Sequence, residues 1–469
     1  VNVTHNVRRW FSLTLLVLML LAGCRSYEGT QTRREHADSY PQTLREKTVV
    51  ILSQRKTLSL EDCIAIAMEN NLDAQSAAIE KRIAKLERRI AFANFLPALS
   101  LNYSHYEFDP TISLPLSDDE PLRIDNAKAL LWNASVAVFN PATWFLYGMH
   151  ARGEEIADQV ALYTKQMTAL QVTMLYFQCL TLEQAQRSIA ADAEAAEALY
   201  AEVAALAKEG LISGWQADQA DVYARARKAE LARTRRRREQ TMSALLATMG
   251  LSPLTEISLT EQTPLTPPEG SMEELILEAL LNHPSLHIAD RQIAIEKEKV
   301  KLAISNFLPV LGAFAYHPDS IDSSLAPSNQ WIYGLAGTMT LFNGFANINE
   351  YKAARQKREK AFIAREQTTL TLMLEVIRAR QNLDTAQDQL DLAERAMIVA
   401  SRRNAEAIQK RKEGLIGPAE LLQEAAEQTK AQMQVLAARF QHQVATATLL
   451  NVIGKTETDV EVKAHDNQS

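Results

Sequence analysis

From Val376 to Ala400 apolar residues recur every three or four positions: Val376, Ala379, Leu383, Ala386, Leu390, Ala393, Met397 and Ala400. Copy for copy, Leu182, Ala185, Ile189, Ala196, Leu199, Val203 and Leu206 keep the same phase, interrupted once by Asp192. This spacing predicts coiled-coil seams on long helices. No Gly or Pro occurs between Gly344 and Gly414. An unbroken helix there would run roughly 100 Å at about 1.5 Å per residue. The matching stretch 142–209 holds only Gly148 and Gly153, both near its start. Helices of half that length are expected over Trp215–Met249, Ala419–Ile453, Leu60–Leu96 and Ser271–Leu308. Two half helices laid end to end match one long helix, which suggests an elongated antiparallel bundle rather than a globular core.

Four segments switch to a period of two: Ala98–Phe108, Leu130–Phe139, Val310–His317 and Trp331–Phe342. Leu99, Leu101 and Tyr103 alternate with Ser100, Asn102 and Ser104. Trp132, Ala134, Val136 and Val138 alternate with Asn133, Ser135 and Ala137. Strands of about ten residues with one apolar face suit a tilted membrane strand. Four strands cannot close a barrel, so a lipid-facing sheet of this kind must be completed by further copies of the chain.

The pattern is written twice. "NFLP" stands at Asn94–Pro97 and again at Asn306–Pro309, an offset of 212 (306 − 94). "LSLEDCIAIAMENN" (Leu58–Asn71) aligns with "GSMEELILEALLNH" (Gly270–His283) at the same offset. "VAVFNP" matches "MTLFNG", "KEGLI" recurs at Lys208–Ile212 and Lys412–Ile416, and "LLATMG" matches "LLNVIG". One unit has been duplicated, which decides the architecture before any local detail does. The expected organisation is a leader over 1–23, an extended polar linker over 24–57, a first repeat over 58–250, a connecting segment over 251–270, a second repeat over 271–454 and a tail over 455–469.

The leader changes the picture of where the chain works. Arg8 and Arg9 precede "WFSLTLLVLMLLAGC", an apolar run too short for a comfortable span. "LAGC" (Leu21–Cys24) resembles a bacterial lipobox, after which Cys24 would carry lipid and anchor the mature chain in a membrane. Arg25 follows, and by resemblance to Gram-negative lipoproteins a residue other than Asp there permits transfer to the outer membrane. Of the remaining cysteines, Cys63 and Cys179 sit in helical patterns and read as small buried apolar residues.

Composition excludes more than it identifies. The formal charge of −7 argues against a general nucleic-acid binder. "RTRRRRE" (Arg233–Glu239) spreads its charges around a helix and reads as a solvated face. No phosphate loop, nucleophile elbow or metal-ligand cluster stands out, so neither an enzyme nor a cofactor is expected. His283 and His287 are four apart, but Pro284 lies between them at a helix start and no third ligand is near, so they read as helix-surface histidines.

The lipobox, the doubled "LSLEDCIAIAMENN…NFLP", the doubled "VFNP/LFNG" and the doubled "KEGLI" together resemble the TolC-like outer membrane factor family, over about Leu58–Gly454. The resemblance implies a mainly helical fold with membrane β. Three chains each give four strands to a 12-stranded outer-membrane barrel and their helices to a periplasmic tunnel. It further implies the exit channel of a tripartite efflux or secretion system, with a periplasmic adaptor and an inner-membrane pump as partners. Family ring positions at the closed end of the tunnel fall on Glu420 and Gln423. The family's adaptor-docking turns fall on Gly210, Leu211 and Ser213 and on Gly414, Leu415 and Gly417. The family latch would fall on Gln216, Ile416 and Arg411, whose residue types do not match it. A bland role exists for several of these residues. Glu420 suits a helix start, and an apolar residue after a capping Gly often packs back on the last turn. The competing reading of the whole chain is a lipid-anchored periplasmic coiled-coil scaffold or adaptor. An adaptor needs one helical hairpin flanked by β-rich domains, whereas this pattern contains two hairpins.

Overall fold

Two helices of nearly equal length dominate the molecule. Helix α4 spans Pro141–Lys208 and α8 spans Ala346–Lys412, 68 and 67 residues. Each turns at a glycine and returns as a 35-residue helix, α5 (Gly214–Thr248) or α9 (Pro418–Val452). In this computed structural model residues 29–53, 57–114, 122–261, 264–320 and 330–455 are described. The leader, Cys24 and nearly all of the tail lie outside them.

The half helices that precede each strand pair are each broken in two, where a single helix was expected. The first is α2 (Leu60–Asn70) followed by α3 (Leu72–Ala93), and the second is α6 (Met272–Asn282) followed by α7 (Pro284–Ser305). Asn71 and His283 sit in extended conformation at the breaks and cap the next helix with their own side chains. Asn71 Oδ1 accepts from the Ala74 N–H at 2.9 Å, and His283 Nδ1 accepts from the Ser285 N–H at 3.3 Å. Pro284 supplies the second start with a residue that needs no N–H partner.

A second correction concerns the stretch before the first repeat. The expected extended linker is largely a helix, α1 (Gly29–Leu52). Its polar residues bond back along the helix: Gln31 to Glu35, Ser39 Oγ to the Glu35 carbonyl, Thr43 Oγ1 to the Ser39 carbonyl. Composition read these residues as loop formers, yet spacing of four lets them support a helix. The far end of α1 is fastened by Thr48, which is buried and whose hydroxyl accepts from the Ser252 N–H.

Four strands form one antiparallel sheet in the order β2 (Ala98–Leu114), β3 (Leu122–Phe139), β5 (Val310–Ser320), β6 (Ile332–Thr338). The first two run further into their hairpin than the alternation suggested. The last is shorter than the expected Trp331–Phe342. It stops at Thr338 because that residue pairs with Val310, the first residue of β5, and Pro309 before it has no N–H to extend the ladder. Register aligns the apolar faces into rows: Leu101 opposite Trp132 opposite His317, and Leu99 opposite Ala134 opposite Ala315 opposite Tyr333.

The helices pack as an open row. Towards the sheet the order is α3, α4, α7, α8; towards the turns it is α5, α4, α9, α8. Midway lie two equivalent cores. In the first repeat Cys63, Val172, Tyr176, Leu245, Leu246 and Met249 are fully or nearly fully buried together; in the second Leu275, Val376, Leu449, Leu450 and Ile453 do the same. Cys63 thus stands where the second repeat has Leu275. Cys179 joins the same core as a free thiol, and burial pushes it up to about 12. Both cysteines are the small buried apolar residues expected. A two-residue parallel pairing, β1 (Thr57–Leu58) with β4 (Ser258–Leu259), closes this level. Tyr176 fastens it by donating its hydroxyl towards the Thr260 and Leu58 carbonyls, 2.6 and 3.2 Å.

Candidate functional site

The two hairpin turns are built alike. At Gly210 (φ +75°) and Gly414 (φ +74°) the chain takes the left-handed conformation that only glycine adopts cheaply. The Leu211 N–H then donates to the Leu206 carbonyl at 3.0 Å, and the Leu415 N–H to the Lys410 carbonyl at 2.9 Å. These six-residue closures satisfy carbonyls that the helix ends leave free. Leu211 is 66% exposed and Leu415 68%, so neither is consumed by packing back on its helix. Ile212 does that instead, resting on Val203, Ala220 and Leu422. Ser213 and Gly417 open the return helices; Gln216 Oε1 accepts from the Ser213 N–H at 3.2 Å, and Pro418 follows Gly417.

Glu420 and Gln423 are exposed one turn apart at the start of α9. Lys410, which pairs with Glu406 at 2.8 Å, feels the charge of Glu420 across the turn. The expected latch positions are brought into a different arrangement. Gln216 is used up in capping. Arg411 reaches Glu202 on α4, Nη2 to Oε1 3.0 Å, joining the ends of the two long helices. Glu202 was invisible to sequence reasoning because its partner lies 209 positions away. Further up, Gln432 Nε2 donates to Ser188 Oγ at 2.7 Å, a second tie between α9 and α4.

The arginine run keeps its bland reading, whereas His283, expected on a helix surface, is buried at a helix break. The arginine run is a charged outer face, with Arg233 on Glu230, Arg235 on Glu239 at 3.0 Å and Arg238 on Glu183 at 3.3 Å. His283 is buried and edge-on to Tyr163, and its Nδ1 serves the helix cap; burial, and then His287, depress its proton affinity. Among the described residues no group of three or more His, Cys, Asp or Glu is placed to hold a metal. No helix among them is long and apolar enough to cross a membrane.

The large unpartnered surfaces lie at the edges. On the sheet Leu99, Leu101, Tyr103, Tyr333 and Leu335 are exposed. Along α3, Leu72, Ile79, Ile83, Leu86 and Ile90 form an exposed apolar stripe, and α8 at the far edge exposes Ile363, Leu370 and Leu374. Contiguous exposed apolar rows of this kind mark interaction surfaces.

The profile of the outer membrane efflux protein family matches residues 275–455. Several solved structures are similar in fold over most of this chain, at low identity. The Campylobacter jejuni CmeC outer membrane channel has a TM-score of 0.73 at 15% identity, over 86% of this chain and 88% of that one. The Vibrio cholerae outer membrane protein VceC gives 0.72 at 16% identity, over 84% and 96%. The Neisseria gonorrhoeae MtrE outer membrane channel, solved in an open state, gives 0.68 at 17% identity, over 84% and 89%. No curated protein matches the chain in sequence.

Proposed function

We propose, from a second repeat that is an outer membrane efflux protein domain, that this chain is the outer-membrane exit channel of a tripartite efflux or secretion system. The observation that carries the reading is the duplicated body itself. Apolar strand rows lie at one end, paired glycine turns at the other, and open apolar edges run between them. An open four-stranded sheet with an apolar face has no stable place in lipid until its edges are paired. A homotrimer would pair them, giving twelve strands around one pore and a helical tunnel below it.

The finer assignments follow from the same reading. Cys24 carries lipid and holds the chain at the outer membrane, with the helical body in the periplasm. Glu420 and Gln423 line the narrow end of the tunnel. Gly210, Leu211 and Ser213, with Gly414, Leu415 and Gly417, form the docking surface for a periplasmic adaptor, which connects to an inner-membrane pump. Cys24→Ser should abolish acyl labelling; label that persists at another site removes the anchor from this residue.

Purification from membranes in detergent tests the main reading. The channel should run as a heat-dissociable trimer and conduct ions in planar bilayers. A water-soluble monomer without conductance would leave the periplasmic scaffold as the better account.

A further inference from the structure

The repeat writes one helix contact twice, and the chain makes it once. Within the chain α4 meets α9. Gln432 Nε2 donates to Ser188 Oγ at 2.7 Å, and Asn451 Nδ2 donates to the Gln166 carbonyl at 3.2 Å. By the duplication α8 is a second α4, and α5 is a second α9. These two helices bound the tip half of the row on opposite sides and do not pack on one another.

The offset of 204 between the two KEGLI turns locates the contact that is not made. Ser188 becomes Leu392 (188 + 204) and Gln166 becomes Leu370 (166 + 204). Gln432 becomes Lys228 (432 − 204) and Asn451 becomes Ala247 (451 − 204). All four positions are exposed, Leu392 to 69% and Leu370 to 60%. Large apolar residues left outside where their counterparts are packed mark a face that another chain covers.

The same mapping sets the register. Residues at one height on antiparallel helices keep a constant sum of numbers, here 620 (188 + 432). Arg236 of α5 therefore comes level with Asp384 of α8, one turn above Asp388, and Asp218 comes level with Arg402. Arg236 lies two residues past the buried Thr234, and Asp388 two past the buried Ala386. Two residues turn a helix by about 200°, so both stand on faces turned away from their own seam. Side chains lean towards the N-terminus of their helix. Arg236 then leans towards the tip and Asp388 towards the sheet, which closes the one-turn offset.

These four charges are uncommitted. Asp384 is held by Arg380 at 3.1 Å, and Arg225, which comes level with Arg395, is neutralised by Asp221 at 2.8 Å. Arg236, Asp388, Asp218 and Arg402 are exposed and form no ion pair among the described residues. The upper pair sets plus on α5 against minus on α8; the lower pair reverses the signs.

We propose that this face docks a second copy of the chain through a charged joint, with Arg236 on Asp388 of the neighbour and Asp218 on Arg402 of the neighbour. The joint rests on the homotrimer proposed above and adds how its tip half is fastened. Inside one copy the equivalent seam is tied by neutral hydrogen bonds, and between copies by exposed charges. Exposed ion pairs add little stability and are screened by salt, so they set register and specificity more than strength. Ionic strength then loosens the seams between copies and leaves the seams inside each copy untouched.

Cysteine pairs in the purified full chain, in detergent, read the register. Lys228→Cys with Leu392→Cys should form disulfides between copies under mild oxidation. Lys228→Cys with Val399→Cys, two turns off register, should not. Raising salt from about 0.1 M to about 1 M should slow the first reaction several-fold. At low salt Arg236→Asp and Asp388→Arg should each slow it likewise, and the two together should restore it. Ser188→Cys with Gln432→Cys, inside one copy, should ignore both salt and charge. Preferred crosslinking at position 399, a rate indifferent to salt, or no restoration by the reversed pair overturns the joint. A pair at Ile83 and Ile363, both exposed in the sheet half, separates the two levels. Crosslinks between copies there, with none at 228 and 392, count against the joint alone; none at either place counts against the homotrimer as well.

Discussion

At the residue scale, glycines of equal backbone conformation carry unequal burdens. Gly250 (φ +69°) lies against the end of α2, where an added Cβ would sit 2.1 Å from the Asn70 carbonyl oxygen. Gly414 (φ +74°) has nothing within 4 Å of that position. Alanine at Gly414 should therefore cost only the left-handed strain, about 1–2 kcal/mol. Alanine at Gly250 adds a backbone clash and should cost several kcal/mol or prevent folding. Thermal melts of the two variants check this, and equal losses would show that the contact at Asn70 yields. Glu420 belongs to the same scale. Three carboxylates around a narrow, low-dielectric pore would hold cations. Glu420→Gln should lower cation selectivity and weaken block by divalent ions; unchanged values in planar bilayers would place this residue outside the pore.

At the scale of elements, the test lies in the turns. Cysteine at Leu211 or Leu415 should crosslink to the adaptor in cells. Leu415→Asp should leave oligomerisation intact while export fails. Crosslinking from neither position would remove the turns from the docking surface. The lengths of α4, α5, α8 and α9 were legible because absent Gly and Pro and an unbroken heptad phase leave few alternatives. The break at Asn71 was not, because Asn tolerates a helix interior; the one at His283 was signalled only by Pro284 after it. What decides for a break is tertiary. Asn71 Nδ2 donates to the Thr248 carbonyl at 2.8 Å, and Gly250 presses on the preceding turn. Helix α1 was missed because its Gly, Ser, Thr and Pro41 read as loop formers, although Gln, Arg, Glu, Lys, Ala and Leu among them favour a helix. Among candidate site residues, the tip turns could be read from Gly-Leu repetition. The pairing of Arg411 with Glu202, and that of Gln432 with Ser188, could not. Each joins residues more than two hundred positions apart (411 − 202 = 209; 432 − 188 = 244).

At the scale of the whole molecule, the duplication leaves a definite vacancy. Helix α7 packs on both α4 and α8, whereas α3, its counterpart, packs on α4 alone among the long helices. On the trimeric reading proposed above, the missing neighbour of α3 would be α8 of another copy. Ile83 on α3 and Ile363 on α8 are both exposed at those edges. A cysteine at each should crosslink between chains into a ladder that ends at three, and Ile83→Asp should shift purified protein towards monomer. A ladder of dimers only would contradict a closed ring.

The glycine contact at Asn70 has a mechanical meaning. Its counterpart in the second repeat sets Gly454 against Asn282, where an added Cβ would lie 3.0 Å from the Asn282 Cβ. Two return helices are thereby pinned at the same height, while their far ends are held by the glycine turns and by side chains. Each behaves as a lever of roughly 50 Å with its fulcrum at the pin. A tilt of about 5° at such a pivot moves the tip by roughly 4–5 Å over that length. Motion at the mouth then needs no change in the paired cores, and backbone amides beside Gly250 and Gly454 should exchange with solvent more slowly than those at the tips.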